Sequence, residues 1–467
     1  MKKYIYPLFL ATLVVPLLLT SCSKDDEEVE VTETCYISQF TLGSLKRSMY
    51  TKTKAGMDSI YTTTFAGTYF PMTIDQRALT IENLDSMPVR TRLDKVLTNV
   101  TFTGLLYWRP ADLTNVEDTT WQTYSNTDSL DMTKPLHFRV ISSSGLSGRT
   151  YTVKLNVHQQ RGDSTTWHNL GAVEAMSQVK ERKLLLFSEW MYIIGRKADG
   201  SMTCVRRLEK LTDDWTSLSV TGAEGGLPNT IQMKNDTLFM STTDGRVLTS
   251  TDITNWTESN LPKIPGLTLV GASEDYIYAL CNQKLYRGND TTWTEEPLDD
   301  SNENLPTEEL NSTLRFLPDG SRILMLIGSR KPTDTAATVW SKRWAQDEET
   351  TETWMYYSPN EANKYPCPML KSLCIEYYDG GLQALGGESR DGRYAAMDSI
   401  FHSSDYGVAW KTYEGNDMPV DDELRMQAQG ATYFSTTIDR NNYLWVLMDD
   451  KLWRGRINRL GFLRSDK

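Results

Sequence analysis

"DYIYALCNQKLYRG", residues 275–288, and "NYLWVLMDDKLWRG", residues 442–455, are one pattern written twice, 167 residues apart. Tyr276 matches Tyr443, Tyr278 matches Trp445 and Leu280 matches Leu447. Lys284-Leu285 matches Lys451-Leu452, and Arg287-Gly288 matches Arg454-Gly455. Each copy is two apolar runs joined by a short polar turn, the pattern of a β-hairpin. "NDTLFMSTTDGRVLTSTD", from Asn235, has the same form with Asp244-Gly245 as its turn. "SRILMLIGSR" with "ATVWSKRW", and "GGLQALGG" with "DSIFHSSD", are two further pairs.

The pairs run into tryptophans at 167, 215, 256, 293, 354 and 410, with gaps of 48, 41, 37, 61 and 56 residues. A unit of about 40 to 50 residues built on four short strands is the size of a β-propeller blade. The chain from residue 159 to 467 therefore reads as a propeller domain of six units counted from Trp167. The last unit closes at "KLWRGRINRLGF" without a tryptophan of its own, and the fourth and fifth carry insertions. A seven-bladed ring is the alternative, with the extra blade between Trp293 and Trp354. Helix is expected to be scarce, because few stretches show apolar spacing of three and four.

"SSDYGVAW", residues 403–410, resembles the Asp-box, S-x-D-x-G-x-x-W, with Ala409 where the usual form has threonine. The resemblance implies a tight turn between the outer two strands of a blade. Asp405 would accept N–H groups inside the turn, Gly407 would take a positive φ, and Trp410 would pack back over the hairpin. Ser403, Asp405, Gly407 and Trp410 are thus assigned to structure rather than to catalysis. "STDITNW" lacks the glycine and is one residue shorter.

Residues 33–158 read as a separate β domain. Tyr151, Val153, Leu155 and Val157 alternate with polar residues as in a half-buried strand, "LHFRV" and "LTNVTFTG" are shorter strands, and "SSSGLSG" is a turn. "RTYTVKLNV" resembles the closing strand of bacterial immunoglobulin-like modules, which implies a β-sandwich acting as a spacer. The fold class expected is all-β throughout.

The first 21 residues form a secretory signal: Lys2 and Lys3, then an apolar run too short and proline-broken to span a membrane. Leu19-Thr20-Ser21-Cys22 resembles the bacterial lipobox, which implies acylation at Cys22. The acidic linker of residues 22–32 resembles the export signal that carries Bacteroidetes lipoproteins to the outer face of the outer membrane. The membrane is then a partner through the lipid.

The net charge of -12, with 61 acidic against 49 basic residues, argues against nucleic acid as a partner. Of six cysteines, Cys35, Cys204, Cys281, Cys367 and Cys374 remain after the anchor, without a CxxC pair, and four histidines are scattered. No metal or cofactor site is read from them. Cys367 and Cys374 are either a disulfide or buried free thiols, the second reading being preferred.

Signal, immunoglobulin-like module and divergent Asp-box or kelch-like propeller, in that order, resemble an uncharacterised family of Bacteroidetes surface lipoproteins. No catalytic residue is read from the chain. The function expected is non-catalytic binding or scaffolding, with glycans or neighbouring surface lipoproteins as partners in nutrient capture or adhesion. The alternative is a sialidase-like glycoside hydrolase, which would need three arginines, a tyrosine nucleophile and an acid. The nearest string, "LRFLPDG" at 314–320, has Arg315 in the wrong order, and Asp319-Gly320 reads as a hairpin turn. Arg161-Gly162-Asp163 falls at the domain junction, "QDEETTET" reads as a solvated insertion, and the glycines of "ALGGESRDG" read as a bend.

Overall fold

The computed structural model describes residues 32–52, 57–113, 120–162, 164–210, 214–345, 348–358, 363–412 and 420–461. The signal segment, Cys22 and the run Lys24 to Glu28 lie outside the described residues. Two compact units follow one another, Met1–Gln159 and Gln160–Lys467.

In the first unit, a six-stranded sheet runs in the order Met72–Asp75, Thr80–Asn83, Gly148–Lys154, Leu136–Ile141, Leu105–Pro110 and Gln122–Thr123. Tyr36–Leu42 pairs with Thr98–Thr103, and Ser44–Lys52 lies between Asp58–Ala66 and Thr91–Arg92. Alternation puts Tyr151, Val153, Phe138 and Val140 in the core with Phe40 and Ile81. Phe40 meets Phe138 edge-on at 5.5 Å. The buried Tyr151 hydroxyl donates to Gln76 at 2.7 Å, as a phenol in a core must find an acceptor. The strand expected through Val157 ends at Lys154. Beyond it, the buried Asn83 side chain takes over both backbone groups of Asn156, accepting its N–H at 2.7 Å and donating to its carbonyl at 2.8 Å.

Six four-stranded antiparallel sheets are described in the second unit. Sheet 1 is Val179–Phe187, Trp190–Lys197, Met202–Arg207 and Thr216–Leu218. Sheet 2 is Gln232–Lys234, Thr237–Ser241, Val247–Ser250 and Thr257–Glu258. Sheet 3 is Thr268–Ala272, Ile277–Cys281, Lys284–Gly288 and Trp293–Glu295. Sheet 4 is Glu308–Phe316, Arg322–Ser329, Thr338–Trp344 and Met355–Tyr356. Sheet 5 is Cys374–Tyr378, Gly381–Leu385, Phe401–Ser403 and Lys411–Thr412. Sheet 6 is Phe434–Ile438, Leu444–Met448 and Lys451–Ile457, and its fourth strand is Thr165–Ala172 from the beginning of the unit.

That last pairing keeps the number of units at six and changes where Trp167 belongs. Trp167 does not end a first unit; its strand completes the last, with Trp167 opposite Gly455 and Thr165 opposite Ile457. The sixth unit thus receives the tryptophan it lacks in sequence. In the other sheets the tryptophan stands at the start of the fourth strand, or just before it. A strand contributed from the opposite end of the chain removes an exposed edge that would otherwise pair with other molecules. The junction is fastened by Asn458, whose N–H reaches the Ser164 carbonyl at 2.9 Å and whose amide reaches the Arg161 carbonyl at 3.0 Å.

Neighbouring sheets share the cores. Leu185, Tyr192 and Ile194 of sheet 1 pack with Leu238 and Met240 of sheet 2 and with Trp256. Tyr278 and Leu285 of sheet 3 pack with Leu324, Leu326 and Trp340 of sheet 4. Sheet 6 meets sheet 1 through Trp445, Leu447 and Leu452 against Met191, Ile193 and Val205. Helix is confined, among the described residues, to 3-10 turns and one α-helix, Asp422–Ala428. Asp421 caps it by accepting the Glu423 and Leu424 N–H groups. Cys35, Cys204, Cys281, Cys367 and Cys374 are all free and buried, and burial pushes the Cys374 thiol up to about 12.

Candidate functional site: a polar channel between the first strands

The first strands of all six sheets line one channel, a cavity of about 500 Å³. Apolar side chains such as Leu184, Leu269, Leu310 and Ile375 form part of its wall, and polar ones stand among them. Glu181 and Lys183 come from sheet 1, Gln232 from sheet 2, Thr268 from sheet 3, Glu309 and Asn311 from sheet 4, Glu376 from sheet 5 and Thr436 from sheet 6.

Many of these groups staple one sheet to the next. Glu309 accepts the N–H of Ser372 at 3.0 Å and of Leu373 at 3.2 Å. Asn311 accepts the Ile375 N–H at 3.1 Å, Ser372 accepts the Phe434 N–H at 2.7 Å, and Ser435 accepts the Leu184 N–H at 2.9 Å. First strands of successive sheets are not hydrogen-bonded to one another as a ladder, so side chains supply the acceptors their N–H groups need.

Two carboxyls stand out electrostatically. Burial raises Glu309, against the lowering effect of its two N–H donors. Burial also raises Glu376, opposed by the Thr436 hydroxyl at 2.8 Å and by the charge of Lys183. Glu181 is ion-paired with Arg196 at 2.7 Å and Glu308 with Arg390 at 3.1 Å. Lys183 makes no ion pair among the described residues. No group of three or more His, Cys, Asp or Glu that could hold a metal occurs among the described residues.

The DUF6242 β-propeller domain matches residues 161–465, and the DUF6242 N-terminal domain, a domain of unknown function, matches residues 40–155. The chain belongs to the DUF6242 family. Its second unit is therefore a β-propeller. Among solved structures it is similar to a DUF4623 family protein from Bacteroides eggerthii, at 12% identity and TM-score 0.34, covering 89% of this chain and 98% of that one. It is similar to the SapL1 lectin in complex with α-methyl fucoside, at 11% identity and TM-score 0.36, covering 59% and 91%. An α-L-arabinofuranosidase from Clostridium thermocellum shows 10% identity and TM-score 0.31, covering 57% and 81%. No curated protein matches this sequence.

Ser403, Asp405, Gly407 and Trp410 of this DUF6242 propeller lie elsewhere, between the third and fourth strands of sheet 5, and none of them lines the channel. Asp405 accepts the Ser403 hydroxyl at 2.8 Å and the Ala409 N–H at 2.9 Å. Ser403 accepts the Gly407 N–H at 2.9 Å, Gly407 has φ +93°, and the buried Trp410 indole donates to the Gly407 carbonyl at 2.9 Å. "STDITNW" builds the same set one residue shorter. Ser250 accepts the Ile253 N–H, Asp252 accepts those of Thr254 and Asn255, and Trp256 donates to the Ile253 carbonyl. Ile253 stands where Gly407 does, at φ +66°.

The other strings settle into structural places. Arg315 stacks 3.7 Å from the centre of the Tyr377 ring, and Gly320, φ +83°, donates to the Leu317 carbonyl in the Asp319-Gly320 turn. The Arg161 and Gly162 carbonyls accept from Asn458 and Arg459, while Asp163 lies outside the described residues. In the acidic run Glu348, Thr350 and Thr351 are exposed, as a solvated insertion should be, and one member departs from that expectation. Glu349 is buried, 2.5 Å from the Tyr278 hydroxyl of sheet 3. Beside it lies a buried ionic cluster that the sequence reading missed. Glu296 takes the Lys342 ammonium at 2.5 Å and the Trp354 indole at 2.9 Å on one oxygen, and Arg287 at 2.8 Å on the other.

The channel carboxylates were also missed. Their signal is present: an acidic residue inside a short β-rich run, as in "CIEYY" and "EELNSTLRF".

Proposed function

We propose that the protein is a lipid-anchored outer-membrane protein, displayed at the cell surface, that binds glycans or neighbouring surface lipoproteins without transforming them. Residues 159–467 form a six-bladed propeller that carries the binding face, and residues 33–158 form an immunoglobulin-like spacer above the anchor at Cys22. The observation that carries this reading is the channel. A cavity of about 500 Å³, with hydroxyls, amides and carboxyls set among apolar side chains on six first strands, is a surface for polar recognition. Its obvious nucleophile is already engaged, since the Tyr433 hydroxyl donates to the Arg182 carbonyl. Glu309 is likewise occupied by two backbone donors.

The observation that favours a glycoside hydrolase is the pair of raised carboxyls, Glu309 and Glu376, because perturbed acids gather at catalytic sites. A panel of aryl glycosides separates the two readings. Turnover that vanishes in Glu376→Gln establishes the hydrolase; a glycan array and a surface pull-down that identify partners, with no turnover, support binding. The anchor is tested by Cys22→Ala, which should abolish labelling by a radioactive fatty acid and release the protein. Unchanged labelling would refute it.

A further inference from the structure

We propose that the ligand class of the channel is uncharged carbohydrate, seated on Lys183 of sheet 1 and Glu376 of sheet 5 through neighbouring hydroxyls of one sugar ring. The inference rests on the channel being a recognition site, as argued above.

Lys183 and Glu376 flank the first strand of sheet 6 from its two sides, on sheets 1 and 5. Lys183 makes no ion pair among the described residues, yet its charge is felt at Glu376 and at Cys374. An ammonium and a carboxylate that share a wall without closing on each other leave a donor and an acceptor apart. A vicinal diol fits between such groups, because one hydroxyl accepts from the ammonium while its neighbour donates to the carboxylate. Glu376 is already held in the wall, since the Thr436 hydroxyl donates to its Oε1 at 2.8 Å, and no hydrogen bond to Oε2 occurs among the described residues. Gln232 and Thr268 on the wall beyond offer further amide and hydroxyl groups.

The same wall disfavours other ligands. Glu181 and Glu308 are neutralised by Arg196 and Arg390, which leaves Glu309 and Glu376 against Lys183 in the lining, on a chain of net charge -12. An acidic sugar or a nucleotide would enter against that field. A purely apolar ligand would strand the polar groups that line the cavity.

The test is calorimetric titration of the full chain with neutral hexose glycosides, neutral disaccharides and glucuronic acid, beside Lys183→Met and Glu376→Gln. Binding of at least one neutral saccharide, weakened tenfold or more by each substitution at an unchanged melting temperature, is the expected result. Neutral saccharides that bind both variants as well as the wild type overturn this inference but leave glycan recognition by the propeller standing elsewhere. Tighter binding of glucuronic acid that depends on Lys183 alone also overturns it, by showing an anion site. If no saccharide binds while a surface lipoprotein is captured, this inference fails and the protein-binding reading stands. Should Glu376→Gln not fold, Lys183→Met decides by itself, since Lys183 staples no sheet to its neighbour.

Discussion

The Trp167 indole covers Gly455 so closely that a Cβ on Gly455 would stand 2.3 Å from the ring, although the two residues lie near opposite ends of the propeller. Trp293 covers Gly288 in the same way, with a Cβ 2.6 Å from its ring. The Arg-Gly repeated in the two opening stretches is explained by this contact: glycine admits the tryptophan of the adjoining fourth strand, and the arginine beside it stacks on a tyrosine. Arg287 lies 4.9 Å from the Tyr276 ring and Arg454 4.3 Å from that of Tyr443.

Gly455→Ala and Gly288→Ala should each lower stability by about 1–3 kcal/mol, the usual range for forcing a methyl into filled space. Urea denaturation measures both. Only Gly455→Ala should also speed proteolysis around residues 159–164, because only there does the displaced strand tie the two ends of the domain. Equal cleavage of the two variants would contradict the closure.

Trp410→Ala should cost about 3–5 kcal/mol, as removal of a large buried aromatic does. Asp405→Ala, which removes the acceptor of the solvent-accessible Ala409 N–H and of the Ser403 hydroxyl, should cost about 0.5–1.5 kcal/mol. Both should melt earlier, and the folded protein should bind as the wild type does.

Ile253 sets two effects against each other. Its left-handed backbone costs about 1–2 kcal/mol for a residue with a Cβ, whereas its side chain is fully buried against Trp256 and Leu238. Emptying such a site costs about 2–5 kcal/mol. Ile253→Gly should therefore destabilise the protein despite relieving the backbone; a melting temperature above that of the wild type would reverse the ranking.

The buried cluster predicts an asymmetry. Glu296→Leu takes from the buried Lys342 and from Arg287 the carboxylate they both bind and should cost about 3–5 kcal/mol or prevent folding. Lys342→Met leaves Glu296 still paired with Arg287 at 2.8 Å and should cost less. Denaturation of the two variants side by side decides it.

Burial raises the Glu349 carboxyl, with Tyr278 and Lys342 pulling the other way. A raised folded pKa contributes stability that is complete below the unfolded value, about 4.3, and is lost as pH climbs through the folded value. Glu349→Gln should thus compare best with the wild type at neutral pH and worst near pH 4. Melting curves across that window check the sign.

The sequence by itself determined the strands, their blade-sized spacing and the turn chemistry of residues 403–410. All of these are local: alternation, turn residues and hydrogen bonds reach only a few residues along the chain. It could not assign Trp167 to the last sheet, because a strand's partner is chosen by which edge is open when the ring of sheets is complete. Glu349 was unreadable for the same reason. An acidic run looks solvated until Tyr278 of another sheet covers one of its members. Channel and ionic cluster likewise exist only once separate strands converge. Glu309, Glu376 and Lys183 are unremarkable letters in three distant strands, and the low-dielectric wall that shifts the two carboxyls is made by the tertiary fold.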